Sequence, residues 1–192
     1  MKEVTTNQQI WNSAAKDGAV LACITIGAGV INILISKMTG DGASSAAFSM
    51  AAMAISAILW LAKTVGSFLL LKRQIENFGT ACGNPGKRFG YGVKVTLLSS
   101  ILCAVFVAVN LLYISPDSTA ATWDAVMQLY KGQLDSNSIE MLEAMKGYIP
   151  LYSTIGQFIW IFLLGIIYSG IISSMQRNNT PFNNTANPSD GQ

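Results

Sequence analysis

Four long hydrophobic runs dominate the chain, and most polar residues lie between them. The runs cover about residues 18–37, 44–71, 92–114 and 151–175. Each run is too long for a buried strand, and roughly 20 apolar residues are enough for an α-helix to cross a bilayer. The pattern therefore predicts an all-α fold, an integral membrane bundle of four transmembrane helices.

The stretch between the third and fourth spans, residues 115–150, has helical periodicity of its own. In its first half apolar residues recur at helical spacing: Trp123, Met127, Tyr130 and Leu134. A second apolar stripe follows in its second half: Ile139, Leu142, Met145 and Ile149. Between the stripes, Asp135-Ser136-Asn137-Ser138 supplies residue types that cap helices.

This pattern predicts an external amphipathic helical hairpin that rests on the mouth of the bundle or on the membrane surface. Four of its residues are predicted to face a partner: Trp123, Met127, Tyr130 and Leu142. Glu140 and Glu143 lie one helical turn apart, and we interpret them as a solvated face rather than as a metal site.

The distribution of basic residues predicts the orientation of the spans. With the N-terminus in the cytoplasm, the inside segments hold eight lysines and arginines and the outside segments hold three. Because basic residues concentrate on the cytoplasmic side, both termini are predicted to be cytoplasmic. The chain then divides into a cytoplasmic N-terminal segment (1–16), a membrane domain (17–175) and a polar tail (176–192) predicted to be disordered.

Composition supports a membrane protein and removes several classes of function. Hydrophobic residues make up 51% of the chain and charged residues 11%, whereas a soluble domain has about a quarter charged. There is no histidine, which excludes histidine-based catalysis and histidine metal ligands, and a net charge of +2 is too small for a nucleic-acid footprint. Three scattered cysteines indicate neither a disulfide framework nor a zinc site.

One glycine-rich segment resembles a phosphate-binding loop but does not match the Walker A pattern. The stretch from Gly83 to Arg88 has a Gly-Lys pair, but Walker A loops need G-x-x-x-x-G-K-[ST] and Arg88 follows the lysine. We interpret this segment as a turn whose basic residues anchor to anionic lipid. No cofactor is predicted, and no nucleophile–base pair points to an enzyme.

Lys63 is the one charged residue deep within a hydrophobic run, because Lys37 and Lys94 lie close to the ends of theirs. It precedes Leu71 by eight residues, or about 12 Å along a helix. Side chains tilt toward the helix N-terminus, so Lys63 is directed away from the nearer, cytoplasmic surface. It is either an inner structural anchor or a functional or paired lysine, with Asp17 and Glu76 the nearest carboxylates by depth.

Two layers of polar residues accompany the spans. An inner layer near the depth of Lys63 could form a polar pocket with it: Thr96, Ser99 and Tyr168. An outer layer lies four to seven residues from the outer span ends: Asn32, Ser49, Asn110 and Gln157. The outer layer is predicted to be either an interhelical hydrogen-bond network or a polar vestibule under the hairpin.

The order of several short motifs resembles an uncharacterised family of small four-span inner-membrane proteins of Bacteroidota, one of the numbered domain-of-unknown-function families. The similarity covers nearly the whole chain before the tail. The motifs are Asp17-Gly18, Trp60-x-x-Lys63-x-x-Gly66, Arg88-Phe89-Gly90-Tyr91-Gly92, Leu97-Leu98-Ser99-Ser100, Tyr113-x-x-Pro116-Asp117, Leu134-Asp135-Ser136-Asn137-Ser138, a Gly165-containing last span and Asn179-Thr180-Pro181-Phe182.

The resemblance implies a bacterial inner-membrane location and a partner role in envelope or lipid-linked glycan assembly, with a polyprenyl-phosphate-type glycosyltransferase as one partner. The leading hypothesis is a non-catalytic accessory or scaffold subunit that binds another membrane protein or a lipid-linked substrate. The alternative is a small oligomeric transporter or channel with Lys63 in an intramembrane polar pocket. A membrane enzyme ranks last.

Overall fold

The computed structural model describes residues 7–40, 46–82, 85–130 and 135–178, and this part of the chain is helical with no strand. It contains six α-helices: α1 (Asn7–Gly40), α2 (Ala46–Cys82), α3 (Pro85–Val109), α4 (Pro116–Tyr130), α5 (Ser136–Met145) and α6 (Ile149–Asn178). The predicted all-α fold is therefore confirmed.

Four of these helices, α1, α2, α3 and α6, are long and apolar enough to cross a membrane. The longest, α2, has 37 residues and a length of about 55 Å, which exceeds the roughly 30 Å hydrocarbon core of a bilayer. The chain is thus a multi-pass membrane protein whose helices continue beyond the bilayer.

The helices run past the predicted spans at the end of the bundle where the chain begins. α1 starts at Asn7, inside the segment predicted to precede the membrane domain, and α2 continues to Cys82. The predicted basic turn is shorter than expected, because α3 starts at Pro85 and only Gly83 and Asn84 remain between helices, outside the described residues. Hydropathy locates the bilayer, whereas Lys, Arg, Gln and Glu continue a helix readily into water.

The tail prediction needs a similar adjustment. α6 ends at Asn178, so three residues of the predicted tail are helical. The rest of the tail, 179–192, lies outside the described residues, as do 1–6, 41–45 and 131–134.

The main buried cluster lies at this same end of the bundle. It combines residues of all four membrane helices: Ala14, Leu21, Leu71, Ile75, Tyr91, Val95 and Ile172. α3 occupies the centre and packs extensively against α6 and α1, whereas α2 and α6 meet over a short length. The bundle is consequently tight around α3 and open between α2 and α6.

Glycine permits the close approach of α1 to α3. A Cβ added at Gly18 would lie 2.9 Å from the carbonyl oxygen of Val95 and 3.0 Å from Cβ of Leu98. Backbone atoms cannot move aside as a side-chain tip can, so a larger residue here must separate the two helices. The Asp17-Gly18 pair therefore has a packing role.

A buried hydrogen-bond cluster ties three helices together beside Gly18. The Tyr91 hydroxyl donates to Oδ2 of Asp17 at 2.5 Å, and the Gln74 amide donates to the Asp17 backbone carbonyl at 2.9 Å. The Phe78 ring stacks on Tyr91 with centroids 4.0 Å apart. Asp17 thus links α1 to both α2 and α3. Nearby, Lys94 lies over the Trp11 ring, 5.0 Å from its centroid.

The third span ends in a π-helical turn, Asn110–Ile114, that the sequence pattern did not predict. The helix breaks at Ser115, whose φ is −138° and ψ 50°, because a residue that precedes proline is pushed out of the helical region. Pro116 then opens α4.

The predicted helical hairpin is present as α4 and α5. α5 leads through a short 3₁₀ turn, Lys146–Tyr148, into α6. The second arm is therefore an extension of the last membrane helix. α4 packs against the π-helical turn, and an ion pair between Lys146 and Asp124, 2.7 Å apart, joins the two arms.

We predict that Gly18→Ala destabilises the fold. The added methyl group meets the α3 backbone, and overpacking of this kind costs about 1–3 kcal/mol. Gly27→Ala in the same helix is the matched control, since nothing lies within 4 Å of its added Cβ. The measurement is the thermal unfolding midpoint in detergent, and equal midpoints for the two variants would contradict the packing role.

Candidate functional site

A cavity of about 280 Å³ lies between α2 and α6, and α1 and α3 close its back. We call it the α2–α6 cleft. Its lining residues are Leu21, Thr25, Trp60, Lys63, Thr64, Ser67, Leu71, Thr96, Ser99, Gln157, Trp160, Ile161, Leu164, Gly165 and Tyr168. It exists because α3 holds α1 and α6 closely while α2 and α6 diverge.

Lys63 lines this cleft and also a second, smaller cavity of about 120 Å³. The smaller cavity lies toward the C-terminal half of α1. Asn32 of α1 and Phe106 of α3 contribute to its wall. Thr25, Trp60 and Gln157 line both cavities. Lys63 therefore sits at the junction of two spaces within the spans.

Lys63 and the three residues of the predicted inner layer all line the cleft, but the hydrogen bonds of the three differ. The Thr96 hydroxyl lies 3.1 Å from the Gly92 carbonyl and 3.0 Å from that of Val93, so its proton is taken up by its own helix. Its side chain also packs directly on Gly165. Thr96 thus supports the α3–α6 contact, and Ser99 is likewise buried on α3.

An aromatic contact positions the Tyr168 side chain. The ring meets Phe68 edge-on, with centroids 5.4 Å apart and planes at 85°. Its hydroxyl has no hydrogen-bond partner among the described residues, and the same holds for the polar ends of Ser67 and Gln157. These three side chains are available to a ligand.

The two carboxylates nearest to Lys63 by depth have other partners. Asp17 accepts the Tyr91 hydrogen bond, and Glu76 lies 3.9 Å from Lys72. Throughout the described ranges no carboxylate lies within 4 Å of the Lys63 ammonium, and no Asp or Glu lines either cavity. Lys63 is partly buried, and its predicted role, anchor or functional lysine, stays a prediction.

The outer layer is only partly assembled. Asn32 and Gln157 line the smaller cavity together. Asn110 lies on the π-helical turn, where its Oδ1 is buried without a hydrogen-bond partner. The side chain of Ser49 lies outside the described residues.

Ser67 and Trp160 are among the lining residues of the cleft that the sequence pattern did not single out. Ser67 could have been found, because it lies one helical turn after Lys63 and so shares its face. Trp160 could not, because an aromatic residue in an apolar span usually faces lipid. It is 61% exposed and Trp60 is 57% exposed, so the two rings flank the cleft on its lipid side.

The hairpin holds a separate groove of about 490 Å³ between α4 and α5. Trp123, Met127 and Ile139 line it, so three residues of the two predicted apolar stripes face a common space, together with Asp124, Glu143 and Lys146. Leu142 is partly buried and Tyr130 is 49% exposed. Leu134 lies outside the described residues. Whether these side chains face a partner stays a prediction.

Asp135 caps α5, as its place in the sequence predicted. Its carboxylate accepts a hydrogen bond from the backbone N–H of Ser138 at 3.3 Å. The Ser138 side chain and, to a smaller extent, this backbone bond favour the charged form and lower the pKa of Asp135 below its ordinary value. The arm thus has a pH-sensitive start.

Comparisons of the chain with protein-family models, curated proteins and solved structures find no match. The family resemblance stays a prediction based on the motifs. Among the described residues there is also no group of three or more Cys, Asp or Glu side chains that could hold a metal ion.

We predict that the start of α5 loosens in acid. A carboxyl whose pKa is lowered in the folded state stabilises that state above its unfolded pKa, and the stabilisation is lost as pH falls through the lowered value. Hydrogen exchange, corrected for intrinsic rates, should show the Ser138 amide losing protection in that range. Asp135→Asn, whose amide caps without titrating, should keep a pH-independent protection. Parallel behaviour of both proteins would refute the cap's role.

Proposed function

We propose that this chain is a non-catalytic protein of the bacterial inner membrane that binds a lipid-embedded amphiphile in the α2–α6 cleft and acts as an accessory subunit for a membrane partner. The observation that carries the proposal is the cleft itself, a cavity of about 280 Å³ between two membrane helices. The basic residues of the predicted loops support cytoplasmic termini.

The lining of the cleft suits an amphiphile. Leu71, Ile161 and Leu164 provide apolar walls, while Lys63 and Tyr168 provide polar groups. Binding sites for small molecules combine a mostly apolar wall with a few placed polar groups. A molecule with a polar head and a hydrocarbon chain satisfies both parts.

The position of the cleft suits entry from the bilayer. α2 and α6 meet over a short length, and the tryptophans beside the opening are largely exposed on the faces that would meet lipid. A hydrocarbon chain can extend outward between them without leaving the bilayer. This supports a lipid-linked ligand over a water-soluble one.

The accessory role rests on the state of the polar side chains. The hydroxyl groups of Thr64 and Thr96 bond to carbonyls of their own helices, which occupies their protons and leaves them unsuited to proton transfer. The hairpin groove with Trp123 and Met127 offers a separate surface to a partner. The family resemblance suggests that the partner belongs to envelope glycan assembly.

We predict that filling the cleft abolishes lipid retention. Ser67→Phe places a ring in the cavity, so the amount of lipid that co-purifies in mild detergent, counted by native mass spectrometry, should fall to the background of empty protein. Ala62→Phe adds the same ring at an exposed position of α2 that does not line the cleft and should retain wild-type lipid. If both variants keep the lipid of the wild type, the cleft is not the binding site.

A transport function is the second candidate, and one observation favours it. Lys63 and Gln157 line both cavities, so the two spaces together extend along the bundle past a single lysine. Transporters place such residues between inward and outward paths.

We predict that Gln157 distinguishes these functions. In a chain made cysteine-free by changing Cys23, Cys82 and Cys103 to alanine, Gln157→Cys should react with a membrane-impermeant thiol reagent from both sides of the membrane if the chain is a transporter. A cleft that opens only to lipid predicts that at most one side reacts. Gly156→Cys, an exposed neighbour that lines neither cavity, is the control for reaction through the lipid.

A further inference from the structure

We propose that the ligand of the α2–α6 cleft is an anionic amphiphile, with a phosphate or carboxylate head bound by Lys63 and its hydrocarbon chain directed between α2 and α6. This rests on the proposed function and adds the chemical class of the ligand. It follows from three features of the cleft: the sign of its charge, the hydrogen-bonding character of its free groups and its size.

The charge of the cleft is positive and uncompensated within the described part of the chain. Lys63 is its single charged lining residue, and no Asp or Glu lines either adjoining cavity. A charged group within a span is costly unless it is paired. Because the nearest acids by depth are bonded to Tyr91 and Lys72, a bound anion is the partner that would offset this cost.

The remaining free groups can all donate hydrogen bonds. Ser67 and Tyr168 offer hydroxyl protons, and Gln157 offers an amide. Hydrogen bonds from such donors to an ionised head are roughly twice as strong as those between neutral groups. A neutral head such as a glycerol or an alcohol would gain less from the same residues, and a cationic head would be repelled by Lys63.

The size of the cleft separates an amphiphile from a free anion. About 280 Å³ is larger than a phosphate or carboxylate alone needs, and Leu71, Ile161 and Leu164 wall the cleft beside its polar groups. Apolar walls add binding free energy only where methylene groups leave water or lipid to pack on them. The head and the first part of a chain fill the cleft, and the rest of the chain lies between Trp60 and Trp160.

The test compares wild type and three variants with three probes. Purified wild type, Lys63→Met, Lys63→Arg and Lys72→Met are titrated with dodecyl phosphate, with dodecanol and with inorganic phosphate, and binding is followed by tryptophan fluorescence and native mass spectrometry. Lys72→Met removes the same charge from the same helix, at a residue that does not line the cleft. Circular dichroism melts check that all four proteins are folded.

The expected result is that wild type binds dodecyl phosphate at least about tenfold more tightly than dodecanol, the preference that one charge-assisted hydrogen bond provides. Lys63→Met should lose this preference, while Lys63→Arg and Lys72→Met keep it. Inorganic phosphate should bind far more weakly than dodecyl phosphate.

Three results would overturn the proposal, and they separate it from the proposed function. Equal binding of dodecyl phosphate and dodecanol that Ser67→Phe abolishes would leave a cleft for amphiphiles without anion selectivity. Equal binding of inorganic and dodecyl phosphate would identify a free anion as the ligand. Absence of binding by all probes, with lipid retention unaffected by Ser67→Phe, would remove both proposals.

Discussion

The close contact of α3 with α1 and α6 is the constraint from which the rest of the structure follows. Gly18 lets α1 approach the α3 backbone, and Gly165 lets α6 approach Thr96. Helix association in a bilayer depends on such packing, because lipid chains are as apolar as the side chains and the hydrophobic effect does not drive helices together there. Three helices therefore form a tight unit, and α2 packs less extensively against it.

The hydrogen-bond cluster around Asp17 holds α2 at the end of the bundle where the chain begins. Its carboxylate and carbonyl receive hydrogen bonds from Tyr91 on α3 and Gln74 on α2, so α2 cannot slide or rotate freely there. Further along, α2 diverges from α6 and leaves the cleft. The cleft thus lies beyond the part of α2 that hydrogen bonds anchor, and Leu21 and Leu71 belong both to its lining and to the buried apolar cluster at that end. A site whose walls are already packed needs little reorganisation to bind a ligand.

The sequence predicted those parts of the structure that depend on hydropathy and on local capping. Four apolar runs predicted the four membrane helices, and Asp135 with its neighbours predicted the start of α5. The helix ends were missed at the chain-start end of the bundle, because α1, α2 and α3 continue through charged residues that hydropathy places outside the bilayer. The π-helical turn at Asn110 was missed for a different reason. It forms where the end of a span meets Pro116, and the spacing of apolar residues carries no signal for it.

Residue counting along the spans identified several residues that line the cleft, but it did not predict the contacts that these residues make. Counting residues from the span ends predicted that Thr96, Ser99 and Tyr168 lie near the depth of Lys63, and all four residues line the cleft. The Tyr168 ring nevertheless packs against Phe68, which lies five residues further along α2 than Lys63. Depth alone could not tell that the Thr96 proton is taken by its own helix or that Ser67 is free. It also could not tell that Asp17 is committed to Tyr91, which depends on how α1 is rotated against α3. The Asp17 carbonyl accepts a hydrogen bond from Gln74, which lies 11 residues further along α2 than Lys63, or about 16 Å along the helix axis. Asp17 therefore cannot neutralise Lys63, and this is why the cleft favours an anionic ligand.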